Sequence, residues 1–342
     1  MKRIAMPARV WAAAGAAWLG LLAGVALPWP AAADELVIYS GRGERFTRPI
    51  VEAFEAATGI ATQTLVGDSN QLLTRIEEEG ERTQADVFLT NYAGLLDIAR
   101  RRGLLQPYRS PAGERVPPEF HGPDDTWIAA SARARVIVYN TDRVDPARLS
   151  SMLDLADPEW EGQLGITVSS NASFIGGLAA MIKQEGTERV RGFLEGIKRN
   201  AGNSVYPTHT PLVSAVARGE VAIGLINQYY YYRALAKNPA LPLAIVYPDQ
   251  ETHGATVTVS GLAILRYAHN VPAARRFVDF VLSDAGQKLF AEVNYEFPVS
   301  PAVPAHPLLP QPGTVKFSPV SQALQVEAID EAVALIKSVG LQ

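Results

Sequence analysis

Residues 36–66 read LVIYSGRGERFTRPIVEAFEAATGIATQTLV, and this stretch decides the fold. The run at 36–39 is short and rich in β-forming residues. At 44–58 the apolar residues recur at helical spacing, and Gly59 follows as a C-terminal cap. A second strand is expected at 60–66. A strand, a helix and a strand in succession are typical of a largely parallel sheet covered by helices.

The same alternation continues along the rest of the chain. Further strands are predicted at 85–90 and 165–168 and near 221–226, and further helices near 69–79, 173–185, 187–199, 273–282 and 321–339. Two longer β-rich stretches, 126–139 and 255–265, lie far apart in sequence. Strands of this length and separation suit a hinge that crosses between two lobes. The pattern therefore predicts an α/β protein with two lobes.

The first 33 residues have the features of a secretory signal. Lys2, Arg3 and Arg9 precede an apolar stretch at 10–27, and small residues lead up to Ala33. A retained membrane anchor is the alternative, but the many alanines and glycines favour removal after about Ala33. We therefore expect a soluble periplasmic protein.

The amino-acid composition excludes several kinds of site and argues against some partners. The chain has no cysteine, which excludes disulfides, thiolate metal sites and a lipid-modified cysteine. Removal of residues 1–33 leaves 309 of 342 residues, a length that favours two domains. The full chain has a net charge of −4; residues 1–33 contain three basic and no acidic residues, so the remainder has −7. This balance argues against a nucleic-acid partner.

Four consecutive tyrosines, Tyr229–Tyr232, follow Asn227 and Gln228. A phenolate is a hard anionic oxygen donor, of the kind that ferric iron prefers. Tyrosine clusters also form buried aromatic helix faces. The tyrosines alone leave both interpretations open. Consecutive side chains on a helix point about 100° apart, so Tyr231 and Tyr232 are expected to pack rather than bind.

Several segments in a fixed order carry a resemblance to a known family. They are VIYSGR at 37–42, FEAATG at 54–59, ADVF at 85–88, RVIVYN at 135–140, NASF at 171–174 and INQYY at 226–230. The chain thereby resembles the periplasmic ferric-ion-binding proteins that feed ABC iron importers, over essentially all of residues 34–342. The resemblance implies a type II periplasmic binding protein fold, in which two α/β lobes are joined by a crossover-strand hinge. Its lobes would comprise 34–134 with about 260–310, and 135–259 with about 311–342.

The resemblance also implies a set of metal ligands. Tyr229 and Tyr230 match the tyrosine pair that binds ferric iron, and Tyr139 matches a third tyrosine ligand of several members. Some relatives use a histidine and a glutamate where this chain has Gly43 and Asn91. These departures favour three tyrosines with a synergistic anion, carbonate or bicarbonate, in the remaining coordination positions.

Arg42 is expected to hold that anion, since a guanidinium binds carboxylate-like groups in a bidentate way. A solvated turn arginine is the other interpretation. Asn91 would lie across the cleft. Asn227 is expected to orient the tyrosine pair from outside the coordination sphere.

Asn171, Ala172 and Ser173 open a helix. They either offer backbone N–H groups to the anion, as the resemblance implies, or simply cap that helix. His209 is expected to hydrogen-bond the anion or a ligand tyrosine, with an ordinary surface histidine as the alternative. Glu44 is a further candidate oxygen donor, and the role of Tyr92 stays open.

The predicted function is a monomeric receptor that delivers ferric iron to the permease of an ABC importer. The alternative is the same class of receptor with an organic ligand, such as a phosphonate, thiamine or a polyamine. Only Trp127 and Trp160 follow the signal segment, so few indole platforms exist for stacking such ligands. An enzyme is not favoured, because the sequence has no P-loop, nucleophile elbow or zinc-protease motif.

Overall fold

The computed structural model describes residues 35–311, 313–318 and 320–341. The predicted signal segment and its cleavage site lie outside these ranges. The strands are β1 (Leu36–Ser40), β2 (Thr62–Val66), β3 (Val87–Thr90), β4 (Leu105–Gln106), β5 (Ile128–Asn140), β6 (Leu164–Thr167), β7 (Val205–Tyr206), β8 (Ile223–Asn227), β9 (Leu243–Val246) and β10 (Val257–Leu265).

Eleven α-helices cover the strands within the described ranges. They are α1 (Glu44–Thr58), α2 (Ser69–Glu79), α3 (Gly94–Arg101), α4 (Ala172–Glu185), α5 (Thr187–Ala201), α6 (His209–Ala217), α7 (Gln228–Lys237), α8 (Val271–Leu282), α9 (Asp284–Glu292), α10 (Gln322–Glu327) and α11 (Ile329–Val339). In the described part of the chain, no helix is both long enough and apolar enough to cross a membrane.

The strands form one connected sheet in the order β2-β1-β3-β10-β5-β8-β6-β7, with β4 beside β10 and β9 beside β5. β1 pairs in parallel with both β2 and β3, which confirms the β-α-β interpretation of the first segment. β6 likewise pairs in parallel with β7 and β8. The two long strands depart from the parallel expectation, because β5 pairs antiparallel with both β10 and β8.

The long strand β5 changes its partner midway. Its first half pairs with β10 up to the register Ala134–Val257. Its second half pairs with β8 from Arg135–Asn227 onward. One continuous strand therefore links the two halves of the sheet, at the place where the sequence predicts a hinge. The assignment of residues to two lobes stays a prediction.

Local sequence explains how α1 and α2 begin and end. Gly59 ends α1 in the left-handed region, with φ 71°, and donates its N–H to the carbonyl of Glu55. Asp68 caps α2, because its Oδ1 accepts the N–H groups of Asn70 and Gln71 at 2.9 and 3.1 Å. The first cap fixes how the chain returns from α1 to β2, and the second fixes how it leaves β2 for α2.

The single terminal helix predicted at 321–339 is wrong. The chain forms two helices there, α10 and α11, which are separated at Ala328 with φ −97° and ψ 3°. Apolar spacing continues across the break, because both helices bury their apolar residues against the same core. The sequence pattern therefore showed the buried face but not the interruption.

Candidate metal centre

Tyr229 and Tyr230 lie in the first turn of α7, directly after β8 ends at Asn227. Their rings lie side by side, with centroids 4.3 Å apart and planes inclined by 31°. Phe46, from the first turn of α1, meets them edge-on at centroid distances of 5.5 and 6.5 Å. The pair is therefore held where two helix N-termini meet.

The surroundings of Tyr230 disfavour its ionised form in the metal-free protein. Burial raises the pKa of this phenol well above 10, and the neighbouring Tyr229 raises it further. Arg45 and Arg133 act in the opposite direction. Tyr230 is thus protonated at neutral pH, and a metal that binds its oxygen must displace the proton.

Two arginines of β5 were not anticipated from the sequence. Arg133 and Arg135 alternate with Ala134, so both lie on one face of the strand. They are 1% and 2% exposed. Arg133 donates through Nη2 to the backbone carbonyl of Asn91, and Arg135 donates through Nη1 to Asn227 Oδ1 at 3.0 Å.

Neither guanidinium forms an ion pair with a carboxylate in the described part of the chain, although the charge of Glu296 acts on Arg133 from a longer distance. Within the described residues, no carboxylate lies within 4.0 Å of Arg133 or Arg135. Arg133 Nε and Arg135 Nη2 have no hydrogen-bond partner there either. Burial lowers the pKa of both side chains, that of Arg135 to about 10, and a guanidinium stays protonated in proteins at neutral pH. Among the described residues, Arg42 and Arg133 share the charge of Glu296 and Arg135 adds a further positive charge, and this excess of positive charge suits an anion.

His209, the first residue of α6, joins the same cluster. Its ring centroid lies 4.8 Å from that of Tyr230, and the side chain is 2% exposed. In the described part of the chain, neither Nδ1 nor Nε2 has a hydrogen-bond partner. Burial lowers the pKa of His209 well below its usual value, and the charges of Arg135 and Arg133 add to the effect. The alternative of an ordinary surface histidine is therefore wrong.

Arg42 is placed differently from the expectation. Its Nη2 donates to both carboxylate oxygens of Glu296, at 2.8 and 3.0 Å. Ser131 Oγ donates to the same carboxylate at 2.5 Å. Arg42 lies between the rings of Phe46 and Phe290. Its charge is paired with Glu296, whereas its Nε and Nη1 have no partner among the described residues. The solvated-turn alternative is wrong because Arg42 is buried, and its anion role stays a prediction.

Asn227 connects the arginines to α4. Its Oδ1 accepts from Arg135, and its Nδ2 donates to Ser173 Oγ at 3.2 Å. It therefore orients Arg135 rather than the tyrosine pair directly. Asn171 caps α4, because its Oδ1 accepts the N–H of Ser173 at 3.0 Å, and Ala172 is the first residue of that helix. The capping alternative describes Asn171, while Ser173 reaches the cluster through Asn227.

Asn91 borders the cluster through its backbone. Its carbonyl accepts from Arg133, while its side-chain Oδ1 accepts from Ser69 Oγ at 2.9 Å. The next residue, Tyr92, is buried, and its hydroxyl has no partner among the described residues. Tyr92 packs so closely on Gly176 that a Cβ there would lie 2.6 Å from the ring. Glu44 is exposed and faces Arg48 at 3.8 Å, outside the cluster.

The structure does not bring Tyr139 to the tyrosine pair. Tyr139 pairs with Ile223 at the start of β8, whereas Arg135 pairs with Asn227 at its end. Four residues of strand separate the two positions, which is about 13 Å. Because the strands are antiparallel, the carboxyl end of β5 lies away from the start of α7. Tyr139 lies instead near Tyr231, whose pKa is raised by burial first, then by Tyr232 and last by Tyr139.

The other two tyrosines of the run lie outside the cluster. The hydroxyl oxygen of Tyr232 lies 3.4 Å from that of Tyr247, and its ring stacks on Tyr295 at 6.2 Å. Tyr231 meets the ring of Tyr232 edge-on at 5.0 Å. The run is thus divided between a packing face and a polar cluster, in agreement with the helical geometry expected of it.

The donors around Tyr229 and Tyr230 suit a hard cation that arrives with an anion. Within the described ranges, no group of three or more histidine, aspartate or glutamate side chains is placed to hold a metal ion. The nearby carboxylate of Glu296 is bound to Arg42, which leaves the phenol oxygens as anionic donors, with a neutral imidazole beside them. The guanidiniums of Arg133 and Arg135 supply N–H donors for an anion.

Comparisons with known proteins extend over nearly the whole chain. A family model described as bacterial extracellular solute-binding protein matches residues 83–323. Iron uptake protein A1 of Synechocystis sp. is 32% identical over 318 residues, which cover 91% of this chain and 88% of that protein. The major ferric iron-binding protein of Neisseria meningitidis is 30% identical, with 94% and 97% covered. The crystal structure of iron-bound HitA from Pseudomonas aeruginosa superposes with a TM-score of 0.84 at 33% identity, covering 90% of this chain and 99% of that one.

Proposed function

The chain belongs to the periplasmic ferric-iron-binding proteins of the bacterial extracellular solute-binding family, and we propose that it binds ferric iron through the phenolates of Tyr229 and Tyr230. As a member of a family of binding proteins rather than enzymes, it is a periplasmic receptor for iron uptake by an ABC system. The tyrosine ligands, the anion, the two lobes, the monomeric state and the interaction with a permease are proposals.

One observation carries the assignment of the metal. The phenols of Tyr229 and Tyr230 lie side by side and act on the charges of Arg133 and Arg135, and no group of three or more histidine, aspartate or glutamate side chains in the described part of the chain competes with them for a metal. Such hard anionic oxygen donors select a highly charged cation over soft divalent metals. Because Tyr230 is protonated in the metal-free protein, iron that binds its oxygen must displace this proton.

Charge supports a synergistic anion beside the iron. Two phenolates leave one positive charge on Fe³⁺, and Arg133 and Arg135 add two more. An anion that bridges the iron and the guanidiniums offsets these charges, and carbonate has both the charge and the planar oxygens for bidentate contact. Arg133 and Arg135 thus take the role that the sequence predicted for Arg42.

The contacts of α1 suggest how the site is closed. Arg45 lies over the ring of Tyr230 at 5.8 Å and donates to Thr210 Oγ1 at 3.3 Å. Together with Phe46, it covers the tyrosines from the half of the sheet that contains β1. Rotation of that half about β5 and β10 opens and closes the cluster in the proposed mechanism, and reopening by the permease releases the ion.

The test is the visible spectrum of the metal-free mature protein during titration with ferric iron in bicarbonate buffer. The iron is added as its nitrilotriacetate chelate to prevent hydrolysis. We expect a phenolate-to-iron charge-transfer band that Tyr229→Phe and Tyr230→Phe each abolish or shift strongly. Tyr231→Phe, from the packing face, is the matched control and keeps the band. Absence of the band and of retained iron in the unaltered protein would sink the assignment, and small organic anions and amines would be tested next.

A further inference from the structure

His209 is a buried polar side chain whose ring nitrogens are both left without partners. It is 2% exposed, and in the described part of the chain no group hydrogen-bonds to Nδ1 or Nε2. Buried imidazoles are normally paired, because an unpaired donor or acceptor loses its hydration without compensation. The ring also lies 4.8 Å from that of Tyr230, the proposed iron ligand. Its nitrogens are therefore available to bind a ligand or a metal ion that enters the cluster.

The cluster has a surplus of N–H donors and a shortage of electron-pair donors. Arg133 Nε and Arg135 Nη2 are unpaired N–H groups that already suit an anion. The carboxylate of Glu296 is occupied by Arg42, and Tyr139 lies about 13 Å away along β5. A neutral imidazole has one unprotonated nitrogen, which is a common metal ligand. His209 thus supplies the kind of donor that the cluster otherwise lacks.

The ligand count leads to the same residue. Gly43 and Asn91, on the other side of the cluster, carry neither an imidazole nor a carboxylate. Tyr229 and Tyr230 alone would leave most positions around the ferric ion to the anion and water. Resting on the proposed function, we infer that His209 is a third protein ligand of the iron, coordinating through a ring nitrogen beside the two phenolates.

The test is pulsed electron paramagnetic resonance of the iron-loaded protein, because directly bound imidazole gives a nitrogen coupling to Fe³⁺. The mature protein is prepared unlabelled and with ¹⁵N-histidine, loaded in bicarbonate buffer, and compared with His209→Gln and His306→Gln. His306 contacts Tyr295, a neighbour of the packing face, and serves as the control. We expect a coupling that changes isotope with the label, disappears in His209→Gln and persists in His306→Gln.

Each outcome decides between specific alternatives. A charge-transfer band without any histidine nitrogen coupling keeps the proposed function but overturns the role of His209 as a ligand, leaving it a hydrogen-bond partner of the anion. Absence of the band itself overturns both proposals. If His209→Gln fails to fold, the labelled unaltered protein still decides, since a coupling from ¹⁵N-histidine is present or absent without any substitution.

Discussion

Arg42 and the pair Arg133 and Arg135 are buried to a similar degree, but their partners differ. Arg42 is 3% exposed and bound to the carboxylate of Glu296, which also accepts from Ser131. Arg133 and Arg135 have only a backbone carbonyl and an amide oxygen as acceptors among the described residues. A buried charge with a partner in the chain is part of the scaffold. A buried charge without one indicates a ligand that comes from outside.

The first way to test this difference is to remove the partner of Arg42. Glu296→Gln leaves a buried guanidinium uncompensated, and we expect the free energy of unfolding to fall by about 3–5 kcal/mol. Chemical denaturation of the metal-free protein measures this change. The folded fraction should still give the charge-transfer band, because Glu296 is not an iron ligand. A loss of less than about 1 kcal/mol would show that the pair is not structural.

The second test removes a charge that the chain leaves uncompensated. Arg135→Met should leave the free energy of unfolding unchanged or raise it, because a buried unpaired charge is lost. Iron affinity in bicarbonate should fall by about 10–100-fold, as is usual for groups that support a metal site from outside its coordination sphere. Competition with a chelator measures the affinity, and Arg48→Met on the exposed side of α1 is the control. Equal affinities of the two variants would remove Arg135 from the anion site.

The third test concerns the imidazole in the metal-free protein. The pKa of His209 is lowered in the folded state, so below its ordinary value of about 6.5 the unfolded chain binds a proton that the native protein does not. The free energy of unfolding should therefore fall as the pH drops below about 6.5. The imidazole of His209 contributes up to about 1.4 kcal/mol per pH unit to this decline. Denaturation at pH 7, 6 and 5 should show a smaller decline for His209→Gln. If the free energy of unfolding fell equally with pH in both proteins, His209 would not be a neutral buried ring in the folded state.

The smallest effect is expected at the far end of β5. Tyr139→Phe removes a phenol that lies about 13 Å along the strand from the register position of Asn227, and distant sites act independently. Iron affinity should change by less than about twofold, and the charge-transfer band should keep its position. A shifted band would return Tyr139 to the metal site and would require a rearrangement of β8.

The sequence was most informative where the determining contacts are local. Helix α1 and its end at Gly59, the cap of α2, and the parallel pairing of β1 with its neighbours all follow from short-range patterns. The division of the tyrosine run between two faces also follows, because helical geometry fixes the angle between adjacent side chains.

The partners of the buried arginines could not be predicted, because they depend on which distant segments the fold brings together. Glu296 lies 254 positions beyond Arg42 in the sequence, and nothing near either residue indicates the contact. Arg133 and Arg135 have the appearance of ordinary strand residues in the sequence. Only the pairing of Arg133 with β10 and of Arg135 with the end of β8 places them near the tyrosines. The distance of Tyr139 from Tyr229 and Tyr230 could not be predicted for the same reason, because it depends on the antiparallel pairing of β5 with β8.

The uncompensated guanidiniums also decide when the proposed site is filled. A bare trivalent cation that approaches two buried positive charges is repelled, whereas an anion that arrives alone lacks the metal that would hold it firmly. In the proposed site, iron, two phenolates and one carbonate together lower the net charge from the two positive charges of the guanidiniums to one. In the proposed mechanism the receptor therefore responds to two solutes at once, and the anion concentration sets how much iron it collects. We expect it to stay largely empty in a medium poor in such anions, even where iron is abundant.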